Sequence, residues 1–404
     1  MNKVLFTTPI LEHPAAGGNK LRIENSIKAL SRISELHIIS RVPVNLIGGI
    51  EAQKFYEKYC VNFLYSPSAI NFFFYRCLRK LQKLKIKFLN PDVSFIIKYC
   101  NRHSIDIIWF GYGNISFDLI YKIKKKRPDI KVVCDTDSVW SHFVLRELPF
   151  ETDPRRKEAI EKKGRIKQRE EKKWVNFCDV TTAVVDTDAD YYRRLAKDSD
   201  RIKMFSNVID LDNYKHFPVA PEYFKKPCIY IAGSFGHKSP MDKGTRWFIK
   251  EVFPIVKEEI PEIHLYIVGI GSDYVLSDIK DNNIDIIGKV QSVLPYLCHA
   301  DVSIAPLMFE AAGTKFKILE SGVCGIPIVT TTVGAEGIPV SHEKDILIAD
   351  EPNDFADAII RLVKNPSFGK EIADNLKKII NTRYNIEQLV IEGKGILKYL
   401  DNEI

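Results

Sequence analysis

The chain has 404 residues, 45% of them hydrophobic and 27% charged, with 59 basic against 52 acidic side chains and a formal net charge of +7. That length exceeds one ordinary hydrophobic core and implies two domains, and the composition excludes a disordered or low-complexity chain. No run approaches the roughly 18–20 uncharged apolar residues of a membrane span. The eight cysteines and nine histidines show no CxxC, HxH or HxxxH spacing, which speaks against a disulfide framework or a metal cage and for a reducing cytoplasm.

From the N-terminus, the apolar run at 4–8 is followed by polar residues and reads as a first strand rather than a signal peptide. Gly17 and Gly18 then lead into a helix, and a glycine pair there lets backbone N–H groups approach a phosphate closely. The other reading of such a pair is a simple turn. A second strand is expected at 36–40. Residues 72–88, FFFYRCLRKLQKLKIKF, hold six basic and no acidic side chains, with Leu78, Leu81 and Leu84 at helical spacing. A basic amphipathic helix of this kind suits an anionic membrane or an anionic acceptor, or else a solvated surface. Strands follow at 106–110, 130–134 and 180–185. The second of these leads into Asp135 and Asp137, one expected to cap the next helix and the other, Asp137 by preference, to face a ligand at the carboxyl edge of the sheet. His142 lies one turn further on. Further basic runs occur at 124–127 and 155–173; the second, interleaved with Glu161, Glu170 and Glu171, reads as an exposed helix laced with i,i+4 pairs.

A polar, turn-rich, non-periodic stretch near 206–221 divides the chain. Beyond it, strands are expected at 228–232, 264–268, 284–287, 302–305, 326–330 and 346–348, each separated by room for one crossover helix. The domains are therefore set at 1–205, 206–384 and a closing helix at 385–404 that packs back toward the first domain. Alternating strands and helices imply an α/β chain of two Rossmann-like domains with parallel sheets facing across a cleft. Ligands of such sheets sit outside the carboxyl ends of the strands.

The richest loop follows the strand at 302–305. Gly313 and Thr314 are expected to open a helix over 314–324, offering backbone N–H groups and the positive end of its dipole to a diphosphate. Lys315 and Lys317 add cationic charge. Gly325 caps the helix and Pro327 ends it. Glu320, two turns in, is placed to accept hydrogen bonds from two adjacent hydroxyls, as a ribose 2′,3′-diol requires; the alternative is a surface glutamate. The pair Gly269 and Gly271 lacks a third glycine and does not support dinucleotide binding. Glu336 follows the next strand on the same side.

The segment AAGTKFKILESGVCGIPIVTTTVGAEGI resembles the donor-site signature of the retaining glycosyltransferases of family four, which have the GT-B fold. It is closest to the subgroup with a Gly–Thr–basic–x–Lys–x–x–Glu run. IAGSFGHKSPMDKGTRWFIKEVFPIVKEEIPEIHLYIVGIGS resembles the opening of the same donor domain, and the first half resembles the family more loosely. The resemblance implies that Glu320 binds a nucleotide ribose, that Gly313, Thr314 and Lys315 approach the sugar and diphosphate, and that Lys243 is the diphosphate lysine. It places a diphosphate-facing loop at Gly17 and Gly18. Two departures stand out: Ala312 occupies the place of the family's first glutamate, and the arginine before Lys243 is missing, with His237 and Lys238 as candidate substitutes.

The implied reaction moves a sugar from a UDP- or GDP-sugar to a glycan, lipid-linked or other hydroxyl acceptor with retained anomeric configuration. Lys243, Lys315 and Asp137 are its expected reacting-site residues; Gly17, Gly18, Gly313, Thr314 and Glu320 are its donor-binding ones. No metal or other cofactor is implied. No pair of carboxylates of the kind retaining glycosidases use is evident. A cytoplasmic location, with peripheral contact to the inner face of the membrane through 72–88, and a role in surface polysaccharide or lipopolysaccharide synthesis complete the expectation. The rivals are a nucleotide-sugar epimerase on the same fold and a non-catalytic nucleotide-sugar or glycan binder. A nucleic-acid partner is not expected, because no base-stacking or groove-reading motif accompanies the basic runs.

Overall fold

A computed structural model describes residues 1–15, 17–71, 74, 90–309 and 314–402. The chain forms two compact units, the first from Met1–Ser141, Arg165–Ser206 and Ile386–Ile404, the second from His142–Gly164 and Asn207–Asn385. The basic run at 72–88 and Gly313 lie outside the described residues, Phe74 excepted.

The first unit is built on β1 (Lys3–Thr8), β2 (Glu35–Ser40), β3 (Asn62–Tyr65), β4 (Ile107–Gly111), β5 (Lys131–Asp135), β6 (Val180–Ala183) and β7 (Ile202–Met204). All pairs are parallel, in the order β3-β2-β1-β4-β5-β6-β7. Parallel strands covered on both faces bury nearly all their side chains, which is why β4 reads as an apolar run and β1 and β5 carry apolar runs at 4–6 and 132–134. Leu5, Ile108, Phe110, Val132 and Cys134 form one buried cluster with helical residues such as Ile96, Ile120 and Tyr192. Each such aliphatic side chain contributes roughly 1.5–3 kcal/mol on burial. The helix Ile386–Asn402 completes this unit, fastened by Asn2 to Asp401 (2.9 Å), Arg32 to Glu387 (2.5 Å) and Ser206 to Glu392 (2.7 and 2.8 Å).

The second unit contains β8 (Cys228–Ala232), β9 (His264–Val268), β10 (Ile284–Gly288), β11 (Val302–Ala305), β12 (Ile328–Thr330) and β13 (Leu347–Ile348), again all parallel, in the order β10-β9-β8-β11-β12-β13. One buried cluster holds Ile229, Ile231, Phe248, Phe253 and Phe355; another holds Tyr230, Tyr266, Ile318, Leu319 and Ile380.

The segment 142–164, which the sequence leaves inside 1–205, groups with the second unit, because its side chains find partners there. Phe150 packs on Phe309 with ring centroids 5.4 Å apart, and Arg146 pairs with Glu336 at 2.5 and 2.8 Å. The basic stretch at 155–173 falls in the largely exposed helix Pro154–Val175, with a Lys167–Glu170 pair at 2.7 Å. Among the described residues no helix is long and apolar enough to cross a membrane.

In both sheets the order reverses beside the first strand of the unit: β1 lies between β2 and β4, and β8 between β9 and β11. Loops leaving β1 and β4, or β8 and β11, therefore diverge and open a crevice at the carboxyl edge, where ligands of such sheets bind. In the second unit the crevice wall is tight. Gly244, in the helix Pro240–Trp247, packs so closely on the loop after β11 that a Cβ would lie 1.9 Å from the Pro306 carbonyl oxygen. Gly244→Ala is expected to destabilise the protein by about 1–3 kcal/mol through overpacking, seen as a lower urea midpoint; an unchanged midpoint would show that the helix shifts freely.

Candidate functional site

The helix Phe316–Cys324 leaves the crevice of the second sheet. It begins two residues later than the sequence suggests, with Lys315 as its N-cap in an extended conformation, making no side-chain capping bond. Thr314 and Lys315 thus form the approach to the helix rather than its first turn, and both are buried. The Thr314 carbonyl accepts a hydrogen bond from Asn207 Nδ2 at 3.4 Å. Its hydroxyl is buried with no hydrogen-bond partner among the described residues. Ser321 Oγ donates to Ser303 Oγ at 2.9 Å and so ties the helix to β11. At the other end Gly325 adopts the left-handed conformation (φ 73°), and Ile326 donates its N–H to the Ser321 carbonyl at 2.9 Å, closing the helix as expected of a glycine cap.

Glu320 lies on this helix, partly buried, and its Oε1 accepts a hydrogen bond from the Tyr214 hydroxyl at 3.0 Å. Burial lifts its pKa from 4.5 to about 7, against the opposing pulls of Tyr214 and of the nearby Lys317 charge. Burial and the Glu320 charge in turn hold the Tyr214 and Tyr230 protons well above the ordinary range. A carboxylate poised near neutrality in a crevice has the features of a binding or reacting group.

Lys243 sits in the helix Pro240–Trp247, which Ser239 caps by accepting from Asp242 N at 3.2 Å. Its ammonium lies 3.3 Å from Glu147 and 4.7 Å from the Phe309 ring centre. Met241 on the same helix meets Lys317 of the Glu320 helix, Sδ to Nζ at 3.1 Å, so the two helices that leave the crevice touch. Next to Glu147, Arg146 holds Glu336 in a two-pronged pair; with Lys315 and His142 adding positive charge, the Glu336 carboxyl is held below its ordinary pKa. The two candidate replacements for the missing arginine, His237 and Lys238, are exposed; Arg246, further along the same helix as Lys243, is engaged by Asp242 and Asp278. Cations, a partly buried carboxylate and a helix N-terminal end on these elements can hold an anionic group beside a polyol.

In the first unit Gly17 is exposed, at φ 91°, and serves as N-cap of the helix Gly18–Leu30 without a side-chain capping bond. Asp135 is fully buried, its Oδ1 2.5 Å from the Arg22 guanidinium and 2.7 Å from Thr182 Oγ1. It is an internal ion-pair partner and not a cap. Asp137 is partly exposed and accepts from Trp140 Nε1 at 3.1 Å and Asn114 Nδ2 at 3.4 Å, with burial raising its pKa.

Lys243, Thr314, Lys315 and Glu320 therefore share the second unit, whereas Gly17, Gly18 and Asp137 belong to the first. Tyr214, Arg146 and Glu147 carry no sequence signal of their own. Tyr214 stands in the non-periodic dividing stretch, as does Asn207 within the SNVID segment at 206–210 that shares the looser family resemblance; Arg146 and Glu147 lie within a segment that the sequence assigns to the other domain. Among the described residues no group of three or more His, Cys, Asp or Glu side chains is placed to hold a metal ion.

Residues 226–365 match the family model described as "Glycosyl transferases group 1". An uncharacterized 44.6 kDa protein in the cps region of Klebsiella pneumoniae is 30% identical over 36% of this chain and 40% of its own length. The poly(ribitol-phosphate) alpha-N-acetylglucosaminyltransferase of Staphylococcus aureus is 24% identical over 46% of this chain and 38% of its own. The chain thus spans about two fifths of the length of these relatives. The crystal structure of HepE from Anabaena in complex with UDP superposes with a TM-score of 0.68, covering 98% of this chain and 99% of that one at 14% identity. The fold is GT-B, and residues 226–365 of its second unit are similar to the glycosyltransferase group 1 model.

Proposed function

We propose that the protein is a hexosyltransferase that moves a sugar from a UDP- or GDP-sugar to a glycan or lipid-linked hydroxyl with retention of anomeric configuration, in surface polysaccharide assembly. The observation that carries this reading is the meeting, at the crevice of the second sheet, of two helices that bear Lys243 and Glu320. The UDP held by HepE supports a nucleotide donor, and the cps-region and poly(ribitol-phosphate) relatives support a polymer setting. A cytoplasmic site of action, with the basic run 72–88 meeting an anionic membrane, belongs to the same proposal.

In this reading Glu320 takes the ribose diol. Lys243, Lys315 and the N-terminal end of the helix Phe316–Cys324 stabilise the leaving diphosphate. As the bond from the anomeric carbon to phosphate oxygen breaks, negative charge grows on that oxygen, and fixed cations favour the transition state over the ground state. The acceptor oxygen bonds the anomeric carbon on the same face and its proton passes to the departing phosphate. Asp137 holds a sugar or acceptor hydroxyl.

Calorimetry against UDP-, GDP- and ADP-sugars is expected to find one tight donor, whose turnover with a hydroxyl acceptor yields the same anomer; inversion, or no donor binding, overturns the reading. Lys243→Ala is expected to weaken UDP binding roughly tenfold or more, the scale of a charged hydrogen bond, and to leave uridine binding unchanged. Equal losses for both ligands would remove Lys243 from the diphosphate.

A further inference from the structure

We propose that Tyr214 is a positioning residue for the Glu320 carboxylate: its hydroxyl clamps one oxygen so that the remaining lone pairs face a cis-diol. The inference rests on the nucleotide-sugar reading of Glu320.

Tyr214 ends the short turn Leu211–Tyr214, and that turn is fixed by its own bonds. Asp210 Oδ1 accepts from Asp212 N at 3.2 Å, the Asp210 carbonyl accepts from Asn213 N at 3.1 Å, and Ile209 N donates to the Tyr384 carbonyl at 2.8 Å. The Tyr214 ring packs on the buried cluster that contains Ile318, Leu319 and Ile380. Ring and turn are thus immobilised before the hydroxyl reaches Glu320. A glutamate side chain has three rotatable bonds, and ordering such a chain costs conformational entropy. A tyrosine already held in place settles that cost in the folded protein rather than at the moment of binding.

Clamping does not block the ligand. An ionised carboxylate offers about four lone-pair sites, and Tyr214 uses one of them. Enough remain for both hydroxyls of a diol. The bond also favours the ionised form, the one that accepts from two hydroxyls. The same stretch of chain touches the helix approach a second time, through Asn207 on the Thr314 carbonyl. Residues 207–214 therefore brace both the entry to the helix and the carboxylate on it.

The test is calorimetric titration of the full chain with UDP and with its 2′-deoxy analogue. The parent protein is expected to prefer UDP. Tyr214→Phe removes only the hydroxyl and keeps the ring; it is expected to weaken UDP binding roughly five- to tenfold, the equivalent of one lost hydrogen bond, and to shrink the UDP preference toward unity. Glu320→Gln separates the two ideas. If E320Q keeps the full preference for UDP, the ribose reading of Glu320 falls and this inference falls with it. If E320Q abolishes the preference while Y214F keeps it, binds UDP more tightly, or loses both ligands equally, positioning by Tyr214 alone is overturned. Tyr214→Leu, which also removes the ring, is expected to lose melting temperature as well as the preference.

Discussion

At pH 8 the Glu320→Gln protein is expected to melt a few degrees above its parent and yet to bind UDP more weakly. The stability gain follows from linkage. The folded-state pKa of Glu320, about 7, lies above its ordinary value of 4.5 because the carboxylate is buried. Between those values the folded protein keeps a proton that the unfolded chain has released, so stability falls as pH rises from about 4.5 to about 7 and the deficit is complete above that. The shift corresponds to at most ~3 kcal/mol, less for a side chain that retains some contact with water. An amide carries no such charge. The melting difference should therefore be largest at pH 8 and fade by pH 5.

Binding moves the other way. Only the ionised carboxylate accepts from two hydroxyls, so the parent's affinity for UDP is expected to rise between pH 6 and pH 8, and E320Q to lose about 1–3 kcal/mol at the upper end. Equal melting temperatures at pH 8 would show that the buried charge costs nothing; unchanged UDP affinity would take Glu320 off the ribose. A variant that is more stable and less competent is the mark of a group kept for function at the expense of stability.

Arg22→Ala is expected to be the most damaging substitution, lowering stability by about 3–5 kcal/mol. The side chains of Arg22 and Asp135 are 2% and 0% exposed, and the guanidinium also donates to the Phe205 carbonyl at 3.0 Å. Removing it leaves Asp135 an ion inside the protein with Thr182 as its remaining described donor on Oδ1. The pair joins the first helix to β5 and to the chain just after β7, so its loss loosens three elements at once. Urea titration should show the drop, and adding Asp135→Asn to Arg22→Ala should recover part of it by removing the orphaned charge. A double variant no more stable than the single one would mean that the cost is lost packing, not charge.

The strands were legible where the chain is buried on both faces. β8, β9 and β11 fall at the bounds expected from their β-branched runs, and β1, β2, β4 and β5 within a residue. The misses have local causes. β3 and β7 are the outer strands of their sheet, short and mostly half-covered, so neither shows a sustained apolar run. β12 starts at Ile328 rather than Ile326 because the Ile326 N–H closes the preceding helix and Pro327 has none to give. The site was legible where one continuous segment carries it, from Thr314 to Gly325. Partners drawn from elsewhere were not. Nothing near Arg22 announces Asp135, 113 residues away, and nothing near Tyr214 announces Glu320.

The interleaving of the two units along the chain bears on how the protein is made. The ribosome delivers the seven strands of the first sheet by Met204, but the helix Ile386–Asn402 that Ser206 and Arg32 hold arrives only after the whole second unit. Arg146 and Glu147 must likewise wait for Glu336 and Lys243. The unit begun first is finished last, so a nascent chain paused near residue 385 carries the sequence of the whole second unit while the first sheet still lacks its closing helix. Chaperones and proteases that survey emerging chains would meet that bare helix-binding surface, not the crevice of the second sheet, as the late vulnerability.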